Sequence, residues 1–186
     1  MPDILQFLAI CFYFILPAYA ANVAPVLAKR FNVLTQLAVP IDCNLKLRGK
    51  PVLGPHKTLR GFLVGTIAAI SVTLSQTLLY PLFPFPTLGL VDYAQVNPLL
   101  LGFLLGFGSL LGDSFGSFIK RRIGKNPGEP LLGLDQTGMA IAAILAVSRA
   151  YPLSGGVILI LITMTFLWHI TAAKTAYLLK IRSEKW

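Results

Sequence analysis

Long stretches without one charged side chain recur along this sequence, and they decide what it can fold into. No charge falls between Ile4 and Ala28, and none between Gly61 and Val91. A bilayer core about 30 Å thick needs roughly 20 apolar residues for each helical crossing, so both stretches can span. Pro81, Pro84 and Pro86 should end the second near Leu79. Three further spans are expected: 98–118 with Asp113 inside it, a weaker 131–150 that takes Asp135 into or beside the membrane, and 155–179 with His169 and Lys174 toward its end. Only 12% of the residues are charged, against about 25% in a typical soluble domain. The expected fold class is all-α, a polytopic membrane helix bundle of about five transmembrane helices, with residues 1–186 as a single domain.

Basic residues near span ends are held on the cytoplasmic side of a membrane. Fifteen of the sixteen lysines and arginines fall in segments 29–60 and 119–130 or in the last span and tail, and none lies in 80–97 or 151–154. That pattern implies an N-terminus outside, a C-terminus in the cytoplasm, and two cytoplasmic loops at 29–60 and 119–130. The first span lacks a basic leader and precedes a basic stretch, so it reads as a retained helix and not a cleaved signal peptide. Pro17 and Pro25 predict a kink or break in it, with Asn22 facing the interior. Cys11 and Cys43 fall in different compartments and read as unpaired thiols. The formal charge of +9 is explained by topology, so no nucleic-acid partner is expected.

Some polar residues are left over. In Gly112–Arg122, helical geometry puts Ser109, Asp113, Ser117 and Lys120 on one face. Asp113 lies seven residues before Lys120, roughly 10 Å inward from the basic boundary, and a charged Asp at the centre of a membrane helix costs about 2.5–3.5 kcal/mol. It should therefore be functional, or neutralised by Lys120 or an arginine from another helix. A turn at 120–130 would return Asp135 to a similar depth on an antiparallel helix. Two carboxylates below Lys120 and Arg121 suit Mg2+ and phosphate, although the same pair could relay protons in a small transporter. Segment 54–61 offers a second anion-binding candidate: Gly54, Lys57, Thr58 and Arg60 can approach or bind phosphate, without Walker A spacing. Gly102, Gly106, Gly108, Gly112 and Gly116 read as helix packing and would permit a homodimer. His169 reads as a core or interfacial histidine, Asp42 and Asn44 as a turn or a contact to a polar substrate group, and Trp168, Tyr177 and Trp186 as interfacial anchors.

In chain order these pieces are PAYAANVAP from Pro17, DCN at Asp42–Asn44, GPHKTLRG from Gly54, GDSFGSFIKRR from Gly112 and PGEPLLGLDQ from Pro127. Together they resemble the CDP-archaeol synthase family, archaeal relatives of the membrane CDP-diacylglycerol synthases. The resemblance implies transfer of a cytidylyl group from CTP to an unsaturated archaetidic acid, with Mg2+ required and pyrophosphate released. By the same resemblance the catalytic residues would be Asp113, Lys120, Arg121 and Asp135, with Asp113 and Asp135 on the metal. CTP and the lipid phosphate would meet Asn22, Asp42, Asn44, Gly54, Lys57, Thr58, Arg60, Ser117, Pro127 and Gly128. The sequence departs from the bacterial pattern at Asn126, at Gly128-Glu129-Pro130 and at Gln136, which favours the archaeal branch.

Overall fold

Polar residues at the segment boundaries set where each helix begins. The structure, a computed structural model, describes residues 3–82 and 85–178. Among these lie five α-helices: α1 (Ile4–Arg30), α2 (Leu59–Leu79), α3 (Pro98–Arg122), α4 (Leu134–Ser148) and α5 (Gly155–Leu178). Asp3 caps α1 by accepting the Gln6 N–H at 2.7 Å, and Thr58 caps α2 by accepting that of Gly61 at 3.1 Å. Asn97 accepts from Leu99 and Leu100 ahead of α3, which opens on Pro98. Among the described residues α1, α2 and α3 are long and apolar enough to cross a membrane. α4 has only 15 residues, starting three later than expected, because Gly133 at φ +88° interrupts the chain just before it. Leu179, the tail cations Lys180, Arg182 and Lys185, and Trp186 lie outside the described residues, as does the Tyr177 side chain.

Of the kink or break expected at Pro17 and Pro25, the break does not occur: α1 runs through both prolines as one helix. Each proline leaves the carbonyl four residues earlier without its helical donor, and the tertiary structure accommodates both. Gln76 of α2 donates its side-chain N–H to the Tyr13 carbonyl at 2.6 Å. The Ala21 carbonyl lies so close to Gly65 that a Cβ there would stand 2.5 Å from it. Asn22 does face inward, donating to the Ala18 carbonyl at 2.9 Å and to Ser109 Oγ of α3 at 3.0 Å.

α3 is the central helix, packed against α1, α2 and α4, while α5 lies on α4 and α1. Glycines permit this from two sides. Gly102 and Gly106 meet Ile70 and Ala69 of α2, and Gly108 and Gly112 meet Ala146 and Gly138 of α4, each too closely for a side chain. The glycine stripe, read from the sequence as helix packing, is thus covered within the chain. Away from the basic loops, Cys11, Phe14, Ile15, Leu101, Leu105, Ile144 and Leu161 form a fully buried core. Cys11 is buried and Cys43 exposed, both unpaired.

One departure from an all-helical chain lies between α1 and α2. There β1 (Lys46–Leu47) pairs antiparallel with β2 (Lys50–Pro51), turning through Arg48 and Gly49, both at positive φ. Arg122 at the end of α3 fixes this hairpin, donating to the carbonyls of Leu47 at 2.8 Å, Lys50 at 3.3 Å and Pro51, with its guanidinium 5.3 Å from the Phe118 ring centroid.

Candidate active site

The polar stripe of α3 faces the bundle interior, and its members find partners on different elements. Ser109 accepts from Asn22 of α1. Asp113 pairs with Lys57, from the segment ahead of α2. Lys120 pairs with Asp135 of α4 at 2.7 Å. The neutralisation expected for Asp113 is therefore supplied by neither Lys120 nor an arginine. Each carboxylate has its own lysine, contributed by a different element. Ser117 is buried and turned back on its own helix, its Oγ donating to the Asp113 carbonyl at 3.1 Å.

Local sequence determines how Asp135 is presented. Asp135 sits in the first turn of α4, where the helix dipole favours a carboxylate, and its second oxygen accepts the Leu131 N–H at 2.9 Å. Gln136 accepts from the Gly133 N–H at 2.6 Å, tying the turn to the helix. Lys120 also donates to the Glu129 carbonyl at 3.2 Å, so one ammonium joins the 120–130 turn to both helices.

Asp113 and Asp135 line one inner cavity of about 90 Å³, together with Asn22 and His169. A second cavity of about 220 Å³ shares Asn22 and Asp113 with it and opens past Lys57, Thr58 and His56. His169 is the residue the sequence reading missed. It occupies an apolar helix, and only the packing of α5 on α1 brings it here, with the Tyr19 ring centroid 6.4 Å away and the Tyr19 hydroxyl 2.9 Å from Thr165. Arg121 is 3% exposed, and its Nε and Nη1 reach no acceptor. A buried guanidinium with unpaired donors is suited to an anion.

Of the remaining candidates Thr58 lines the second cavity, while Asp42, Asn44, Gly54, Arg60, Pro127 and Gly128 line neither. Asp42 accepts the backbone N–H groups of Leu53 at 2.8 Å, Gly54 at 3.2 Å and Asn44 at 3.1 Å. Burial pushes its carboxyl pKa up, but these three donors outweigh that and hold it below its ordinary value of 3.8. Asp42 thus shapes the loop that presents Lys57, and the Gly54 amide is engaged by it. Asn44, Pro127 and Gly128 are exposed. Pro127 packs beneath Gly54, where an added Cβ would lie 3.6 Å from its Cγ, so the two basic loops touch. Arg60 is buried and donates to the Val33 carbonyl at 3.3 Å. Thr58 uses its oxygen to cap α2, leaving its hydroxyl proton to donate.

Whether this set suits Mg2+ can be judged from its donors. The two carboxylates and the Asn22 amide supply oxygen, the element Mg2+ prefers. No group of three His, Cys, Asp or Glu close enough to hold a metal occurs among the described residues. Mg2+ commonly binds through one or two carboxylates and completes its shell with water and substrate phosphate, so the residues fit that ion.

Fold and site together define a polytopic membrane protein with an acidic and basic cavity at one end of its helix bundle. The family described as CarS-like, CDP-archaeol synthase, matches residues 4–186. The CDP-archaeol synthase of Pyrococcus furiosus is 36% identical over 94% of this chain and 96% of its own length, and that of Thermococcus gammatolerans 40% identical over 94% of each. A solved structure, described as structural insight into an intramembrane enzyme for archaeal membrane lipids biosynthesis, superposes with a TM-score of 0.67 at 26% identity, covering 87% of this chain and 90% of that one. The chain belongs to the CDP-archaeol synthase family.

Proposed function

We propose that this protein transfers the cytidylyl group of CTP to 2,3-bis-O-geranylgeranylglycerol phosphate, giving CDP-archaeol and pyrophosphate, at the cytoplasmic face of the cell membrane. Five spans with the N-terminus outside would put segments 29–60 and 119–130 on that face, in line with the charge pattern. The observation that carries the proposal is that two carboxylates line one cavity, while Arg121, buried and close enough to Asp135 to feel its charge, has Nε and Nη1 donors with no acceptor.

The lipid phosphate is the nucleophile. A phosphate monoester has its second pKa near 6 and is already largely ionised at neutral pH, so no side chain need remove a proton. One of its oxygens bonds to the α-phosphorus of CTP, the bond from that phosphorus to the bridging oxygen breaks, and pyrophosphate leaves with the electron pair. Catalysis then consists of alignment and charge stabilisation. Asp113 and Asp135 would hold Mg2+, which neutralises charge on the phosphate oxygens when bound. Lys57 and Lys120 orient the two carboxylates and add positive charge, and Arg121 offers its free donors to a phosphate. Asn22 keeps its amide oxygen available at the cavity wall.

A detergent assay with labelled CTP tests this. Pyrophosphate should appear only when CTP, Mg2+ and a lipid phosphate are all present, and more from ether-linked than ester-linked lipid. Failure of all three together to release pyrophosphate, with ion or proton flux in sealed vesicles instead, would leave the carboxylates as a transport relay.

A further inference from the structure

The cavity around Lys57 continues outward into a wider one of about 450 Å³. The two share Pro25, Val26, His56 and Thr58, and the outer one adds Lys29 and Arg60. Its walls differ in chemistry. Toward α1 lie Pro25 and Val26, and Val26 is 65% exposed. The neighbouring Leu27 of α1 and Leu59 of α2 are exposed as well, so this part of the crevice adjoins apolar surface that a bilayer would cover. Toward the loop lie Lys29, Arg60 and His56, and no acidic residue lines the cavity among the described residues. Val26 precedes Lys29 by three residues, roughly 4.5 Å of helix, so the apolar wall passes into the cationic one within a single turn.

We propose that this outer cavity is the lateral entrance and seat of the lipid phosphate, with the phosphate at Lys29 and Arg60 and the hydrocarbon chains leaving over Val26 between α1 and α2. The nucleotide then approaches from the other side, at the 120–130 turn with Lys120 and Arg121. A soluble triphosphate gains nothing from an exposed valine at bilayer depth, whereas an amphiphile with an anionic head matches both walls. Arg60 uses one donor on the Val33 carbonyl and keeps the others for phosphate oxygens. From there the shared lining leads the phosphate to Lys57 and Asp113. This partition rests on the cytidylyltransferase reading for the identity of the second substrate, but not for the lipid seat itself.

The test is photolabelling of the full-length, detergent-solubilised protein with a dialkylglycerol phosphate carrying a diazirine near the glycerol end of one chain. Adducts should map to Pro25–Lys29 and to the start of α2. Excess unlabelled dialkylglycerol phosphate should compete them away, whereas CTP or the phosphate-free dialkylglycerol should not. Val26→Trp, at an exposed position, should reduce the adduct about tenfold and raise the KM for lipid phosphate similarly, with the KM for CTP unchanged. Adducts confined to the groove between α1 and α5, at Leu8, Leu159 and Trp168, would overturn the assignment. So would displacement by CTP, or a Val26→Trp effect on CTP alone. Lack of pyrophosphate release by the wild-type protein would defeat the cytidylyltransferase reading, and the labelling map would still decide the seat.

Discussion

The two ends of the bundle are built from the same helices but solve opposite problems. At the aromatic end, Phe14 of α1, Leu101 and Leu105 of α3 and Ile144 of α4 are buried against Tyr93 and Leu161. There the Tyr13 carbonyl, deprived of its helical donor by Pro17, accepts from Gln76. At the basic end, α1, α3 and α4 present Asn22, Asp113, Gly116 and Asp135 to a cavity. Close packing removes space at one end, and small and polar side chains preserve it at the other. Charge can remain at the basic end because a lysine faces each carboxylate, since an ion left alone in a low-dielectric site is strongly destabilising.

The sharpest way to break this contrast is at the carboxylates. Asp113→Asn or Asp135→Asn should lower pyrophosphate release by roughly 10³-fold, the upper range for losing one preorganised electrostatic group, while the protein still elutes as a folded species. Near-normal Mg2+-dependent turnover in either variant would remove that residue from the site. His169→Leu should cost roughly 10–100-fold, as loss of a group supporting a charged site commonly does. Trp168→Leu, one residue away but directed onto Phe12, should leave turnover within about twofold by the same comparison. Equal losses in both variants would mean that α5 contributes packing and no cavity group.

At the aromatic end the effect should move from activity to stability. Gln76→Leu removes the side-chain donor to the Tyr13 carbonyl, and thermal unfolding in detergent should show a loss of about 1–3 kcal/mol with KM unchanged. A large fall in activity at unchanged stability would contradict the division between the ends. The smallest effect concerns Asp42. Its folded pKa lies below the unfolded value, so its contribution to stability is full above that ordinary value of 3.8 and is lost as the pH falls through the lower folded one. Hydrogen exchange at the Leu53 and Gly54 amides should therefore accelerate on acidification below about pH 4, relative to the intrinsic rate. Protection unchanged down to pH 2 would show that other contacts hold the loop.

The helices were legible in the sequence because each boundary is marked locally. Lys29 closes the first uncharged run, Pro81 follows the second, and Asn97-Pro98 opens the third. Asp113 and Asp135 were legible as candidates because an acidic residue in an apolar run has few neutral explanations. Their partners were not. Lys57 lies 56 residues from Asp113, and nothing in the intervening sequence says which lysine will fold back. His169 was read as core because its neighbours are apolar, and a helix facing lipid on one side and a site on the other looks the same in sequence. The unbroken α1 was missed for a related reason, since its tolerance of Pro17 depends on Gln76 in a different helix.

By itself the sequence determined that the chain is helical and membrane-borne, where most helices begin and end, and which acidic and basic residues demand an explanation. These follow from local physics: the length of uncharged runs, caps, prolines and the cost of a charge in hydrocarbon. The tertiary structure decided which lysine answers which carboxylate, that His169 joins them, and that the glycines of α3 are covered by α2 and α4. Each of those is a contact between residues far apart in the chain, fixed only when the helices pack and burial leaves each polar group a limited set of partners.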